Sequence, residues 1–111
     1  MAKTLTIEFE NKDYTLEFNR RVVENMERQG FSIDKVESMP MTMIPMLFAG
    51  AFIKNHPSIK RAKLEQIYDE LPDKSDTIEA LLEMLAETYE SLSGGEESDG
   101  ETKKAKVKRN F

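Results

Sequence analysis

The sequence predicts an α+β fold that is mostly α: an N-terminal β-hairpin packed on a bundle of about four helices, followed by a disordered C-terminal tail. Three observations carry this. Leu5, Ile7 and Phe9, then Tyr14, Leu16 and Phe18, alternate with polar neighbours, the period of a strand with one apolar face. From Asn19 to Leu92 the apolar residues recur at helical spacing between capping residues and prolines. After Gly94 and Gly95 large apolar residues almost vanish until Phe111, a composition unable to offset the entropy of ordering. The division is therefore one domain over 1–92 and a charged tail over 93–111.

The two strands flank a polar break at Glu10-Asn11-Lys12-Asp13. An isolated hairpin is marginal in water, so the helices must cover its apolar face. Asn19 is placed to cap a helix over Arg20–Gln29 with Val22, Val23 and Met26 on its inner side, and Gly30 supplies the left-handed residue that ends it. Phe31 and Ile33 are expected to pin the next connector to the core. Pro45 is tolerable in a first turn, which puts the start of the second helix near Thr42 or Met43; Asn55-His56-Pro57 stops it. Ser58 is the expected cap of a third helix carrying Leu64, Ile67, Tyr68 and Leu71, which Pro72 terminates. A fourth starts after Asp73 or Ser75, with Ile78, Leu82, Leu85, Tyr89 and Leu92 inside and Glu79, Glu83, Glu87 and Glu90 outside. Two heptads are too few for a free-standing coiled coil, so this stripe is expected to pack within the domain.

Composition narrows the function classes. With 111 residues and no cysteine, the chain needs no disulfide and offers neither a thiol nucleophile nor a thiolate metal site. Acidic residues outnumber Lys and Arg by 21 to 16, a poor balance for gripping a phosphate backbone. The apolar run around Ile44–Ile53 is too short for a bilayer and no apolar leader is present, so neither nucleic acid nor membrane is an expected partner and a cytoplasmic location is. The basic run Lys103–Arg109 follows the acidic stretch Glu96–Glu101 and reads as solvated tail. His56, the one histidine, sits in a helix-ending turn, a better place for a cap than for a catalytic base. Asp69, Glu70, Asp73 and Asp76 lack the glycine and alternating oxygens of a calcium loop. No GxGxxG, P-loop or GxSxG occurs. The expectation is a non-enzymatic protein with no cofactor and no metal.

What remains is the methionine cluster. Met39, Met41, Met43 and Met46, four of the chain's seven methionines, precede Leu47, Phe48, Phe52 and Ile53. Methionine is unbranched and polarisable and repacks around differently shaped partners; the same residues at helical spacing equally describe a central core helix. Ile44, Leu47, Phe48, Ala51 and Phe52 form one stripe, and Met43, Met46, Gly50 and Ile53 a second.

The order of elements, a hairpin leading into YTLEFNRRVVENMERQGF, then PMTMIPMLFAGAFIKNHP, an acidic amphipathic helix and a charged tail, resembles the tail assembly chaperones of long-tailed phages and prophages of Gram-positive bacteria. The resemblance spans about residues 3–92 and implies a protein that coats the tape-measure protein and keeps it soluble until tail-tube subunits polymerise, acting in the host cytoplasm and absent from the mature virion. It further implies a longer form, made by programmed frameshifting, whose added domain recruits the tail-tube protein. On that footing Met43, Met46, Phe48 and Phe52 are the expected partner-binding residues, and self-association is compatible with the family. Two other classes fit the same sequence: a structural head-tail joining protein that stays in the virion, and an acidic regulatory adaptor for a basic protein.

Overall fold

The computed structural model describes residues 3–92; the tail expected over 93–111 lies outside the described residues. Within them the fold is an N-terminal antiparallel hairpin, β1 (Leu5–Phe9) and β2 (Lys12–Leu16), followed by four helices: α1 (Arg20–Arg28), α2 (Pro40–Ile53), α3 (Arg61–Asp69) and α4 (Lys74–Glu90). A short 3-10 turn over Ile33–Lys35 joins α1 to α2.

The hairpin turn is tighter than the sequence suggests. Phe9 pairs with Lys12, so the loop is Glu10-Asn11 alone, and Lys12 and Asp13 belong to β2. Both loop residues have positive φ, 54° and 65°, the backbone of a type I′ turn whose twist matches the strands. The register sets Leu5 opposite Leu16 and Ile7 opposite Tyr14, placing the apolar residues of both strands on one face.

α1 follows its predicted boundaries. Asn19 Oδ1 accepts the Val22 N–H at 2.8 Å. At the other end the Phe31 N–H bonds Met26 O and the Gly30 N–H bonds Glu27 O, both at 3.0 Å, with Gly30 at φ 107°. This is a Schellman motif, and its expected apolar contact is available because Met26 and Phe31 are both buried. Ile33 departs from expectation: it is 37 % exposed, and Val36, 8 % exposed, takes the pinning role beside Phe31.

α2 starts at Pro40, earlier than Thr42 or Met43, so Pro45 lies in its interior. Proline at the first helical position costs no hydrogen bond. Pro45 does forfeit one, the bond its N–H would have made to Met41 O. The loss is tolerable because Met41 and Pro45 are both exposed, so water reaches the orphaned carbonyl. α3 starts at Arg61 with Lys60 as its cap residue and no side-chain cap. Ser58 does not cap it, because His56–Ile59 closes a turn of its own through the Ile59 N–H to His56 O at 3.2 Å.

The core is one cluster drawn from β2, α1, α2, α3 and α4, with Leu16, Leu47, Ala51, Phe52, Leu81 and Leu85 at zero exposure. Tyr14, Phe52, Phe48 and Tyr68 run through it as successive ring contacts, with centroids 5.8, 5.0 and 5.2 Å apart, linking hairpin, α2 and α3. At Gly50 the backbone of α2 comes so close to α1 that an added Cβ would stand 2.5 Å from Met26 Sδ. The buried side of α4 is Leu81, Met84 and Leu85; Ile78, Leu82 and Tyr89 are half-buried and Leu92 is 66 % exposed. At 3.6 residues per turn the helix is thus rotated by about 60° from the stripe expected on sequence grounds.

Candidate functional site

α2 carries the chain's most apolar segment, and the fold splits it by position. Met43 is 2 % exposed, Phe48 3 % and Phe52 zero. Met43 is further engaged through its Sδ, 3.5 Å from the Ser32 N–H. Three of the four residues expected to face a partner are therefore core residues. Phe48 and Phe52 carry the aromatic contacts that hold hairpin and α3 together, so exposing them would dismantle the domain. Met46 is half-buried against the same cluster and remains at the margin of the surface.

The exposed methionines lie one turn earlier. Met41 is 89 % exposed and Met39 46 %, and Ile33, on the turn that leads into the helix, is 37 % exposed. The Met39 N–H bonds Lys35 O at 2.7 Å, so the 3-10 turn and the start of α2 form one hydrogen-bonded corner. Pro40 at the first helical position fixes the frame, and Pro45 extends the exposed face one turn beyond Met41. The sequence carried a signal for this corner that the periodicity argument missed: an interior proline must turn its lost hydrogen bond toward water, and Met41 is the residue four before it. Ile53, 42 % exposed, lies at the far end of α2, about 18 Å away at 1.5 Å per residue.

The remaining polar features are structural. His56 Nε2 accepts the Thr15 N–H at 3.0 Å and Asn55 Nδ2 donates to Thr15 O at 3.1 Å. The Glu17 N–H bonds Ala51 O at 2.9 Å. The end of α2 thereby satisfies the outer edge of β2, and the His56 ring rests on Tyr14 with centroids 5.1 Å apart. Asp73 caps α4 through the Asp76 N–H at 3.0 Å. The Tyr89 hydroxyl donates to Glu27 Oε2 at 2.9 Å; burial first, then that carboxylate, push its pKa up to about 12, as expected when a neutral hydroxyl is partly desolvated beside an anion.

Two open depressions mark the surface, one along Ile59–Gln66 and one along Asp76–Glu83, and neither brings a nucleophile to a base. Among the described residues no group of three or more His, Cys, Asp or Glu is arranged to hold a metal ion, and no helix is long and apolar enough to cross a membrane. What the site can do chemically is bury flexible apolar surface against a partner.

No curated protein and no solved structure matches the chain. The model of one family, described as Domain of unknown function (DUF5055), matches residues 1–111, and the chain belongs to that family.

Proposed function

We propose that this protein is a phage tail assembly chaperone that binds apolar helical segments of the tape-measure protein and keeps them soluble in the host cytoplasm while tail-tube subunits assemble. The observation that carries the reading is the pair of exposed methionines, Met39 and Met41, presented where the turn before α2 meets the first turn of a helix whose Met43, Leu47, Phe48, Ala51 and Phe52 are buried. A tape-measure chain offers many nonidentical apolar faces, and unbranched thioether side chains adapt to them where a rigid pocket would fit few. Helix-in-groove recognition needs few anchors of this kind. The partner surface is therefore Met39, Met41 and Ile33 with Met46 at its margin, while Met43, Phe48 and Phe52 hold the fold beneath it. In this reading the segment beyond residue 92 tethers the tail-tube-recruiting domain of a frameshifted longer form.

Co-expression with the tape-measure protein of the same genome tests this. The chain should raise the soluble yield of the tape-measure protein and co-purify with it. A Met39→Glu, Met41→Glu double variant should keep the thermal midpoint and lose at least tenfold of the co-purified partner. No gain in solubility with the unaltered chain, or full activity of the folded double variant, rejects the proposal. Exposed Glu79 and Glu83 on α4 favour the acidic-adaptor reading as the second choice, and complex formation that collapses at high salt would select it over burial of methionines.

A further inference from the structure

Six of the seven methionines fall within the described residues, and the fold sorts them by what reaches their sulfur. Met26, Met43 and Met84 are 5 %, 2 % and 4 % exposed. The Met26 Sδ lies against Gly50, where even an added Cβ would stand 2.5 Å from it. The Met43 Sδ is engaged by the Ser32 N–H at 3.5 Å. Neither sulfur has room for an added oxygen unless the packing opens. Met46 is half-buried against the core. Met39 is 46 % exposed, and Met41 stands nearly clear of the fold at 89 %. Methionine oxidation requires a reagent to reach the sulfur lone pair, so the chain offers one open thioether, one partly open one and three that are closed.

We propose that Met41 is a site of reversible oxidation to methionine sulfoxide by hydrogen peroxide, and that this one oxygen silences the corner carrying Met39 and Met41 without unfolding the chain. The sulfur lone pair attacks one peroxide oxygen, and the S–O bond forms as the O–O bond breaks. The departing hydroxide takes the proton from the transferred oxygen and leaves as water. Sulfur gives up two electrons and the peroxide accepts them. A dithiol reductase reverses the step, returning the thioether with water and a disulfide as products. Where the thioether was apolar, the sulfoxide carries an S=O dipole that accepts hydrogen bonds from water and must shed them to be buried against an apolar helix. The polarisable sulfur that suits methionine to varied apolar faces is also what makes this corner chemically labile. Met39 reacts more slowly, and the three buried methionines react only when the chain unfolds. The effect on a partner rests on the chaperone reading, whereas the site and its change of polarity do not. A seated partner covers the same sulfur, so oxidation acts on the free chain.

Peptide mass mapping of the isolated chain during peroxide treatment reads the site. Met41 should gain one oxygen faster than Met39 and about tenfold or more faster than Met26, Met43 and Met84, and the rates should converge in denaturing urea. The chain oxidised at Met41 should keep its thermal midpoint and elute earlier from a hydrophobic-interaction column. Sulfoxide reductases acting on the two epimers should restore its retention. Met41→Leu should abolish the shift in retention over the time in which Met41 is converted. For the partner, urea-denatured tape-measure protein is diluted into the treated or the untreated chain. The treated chain should hold about tenfold less of it in solution, and Met41→Leu should bring that treated-to-untreated ratio close to unity. Oxidation of Met43 or Met84 as fast as Met41 in the folded chain, a thermal midpoint that falls with the first oxygen, or unchanged retention overturns the proposal. So does a treated chain that solubilises the tape-measure protein as well as the untreated one. An untreated chain that solubilises none of it rejects the chaperone reading, and the oxygen map and retention shift then decide the modification by themselves.

Discussion

α2 is apolar on nearly every side and α4 on one, and the fold uses the first as its centre and the second as its cover. In α2 the change from surface to core runs along the helix: Met41 is 89 % exposed and Met43, two residues on, 2 %. In α4 the change runs around it, with Leu81 and Leu85 at zero exposure beside outward Glu79 and Glu83. A helix surrounded by β2, α1, α3 and α4 keeps most of its apolar surface for the core and exposes it mainly at its ends, at Met41 and Ile53. A one-sided helix has spare surface along its whole length, but that surface is charged.

Truncating side chains of α2 on either side of the boundary separates core from surface. Phe52→Ala removes a fully buried ring that touches Tyr14 and Phe48 and should cost about 4 kcal/mol. Met41→Ala removes a side chain that the fold does not use and should change stability by less than about 0.5 kcal/mol. Urea midpoints measure both. Similar losses for the two would mean that the first turn of α2 is packed in solution and cannot be a free docking corner.

In α4 the corresponding test is angular. Leu81→Ala, from zero exposure, should cost about 3 kcal/mol, and Leu82→Ala, half-buried at the edge of the stripe, about 1 kcal/mol. The reverse order would restore the stripe expected from the sequence and rotate the helix back.

Those two helices also separate what the sequence makes legible from what it hides. The hairpin, α1 and its caps follow from local chemistry: alternation, the Asn19 side chain and the left-handed Gly30 are each decided within a few residues. The start of α4 at Asp73 is legible for the same reason. The burial of Met43, Phe48 and Phe52 is not, because a helix apolar over most of its circumference has no preferred side until its neighbours are placed. The rotation of α4 has the same origin. Leu81 and Met84 widen its apolar arc beyond the Ile78, Leu82, Leu85 stripe, and the all-apolar surface of α2 accepts either setting. Pairing of Thr15 with Asn55 and His56 joins positions 40 and 41 residues apart, and no local pattern announces it. The candidate corner was within the methionine cluster that the sequence singled out, but on the residues before the core boundary rather than after it.

A pH-dependent effect is expected at the seam where α4 meets α1. Tyr89 is neutral and donates to Glu27, and its pKa is raised from 10.0 to about 12 in the folded chain. A group whose folded pKa lies above its unfolded value contributes stability that is whole below the unfolded pKa and is lost as pH rises through the folded one. The Tyr89 contribution is therefore complete at neutral pH and disappears between about pH 10 and 12. Tyr89 is half-buried and Glu27 exposed, and that access of solvent holds the effect to about 1 kcal/mol or less. Tyr89→Phe should match that loss at neutral pH and then show a shallower decline than the unaltered chain across the alkaline window. The difference between the two curves cancels the titration of the lysines and other tyrosines. Parallel curves would mean that the hydroxyl and Glu27 part in solution, leaving α4 joined to the bundle by its apolar side alone.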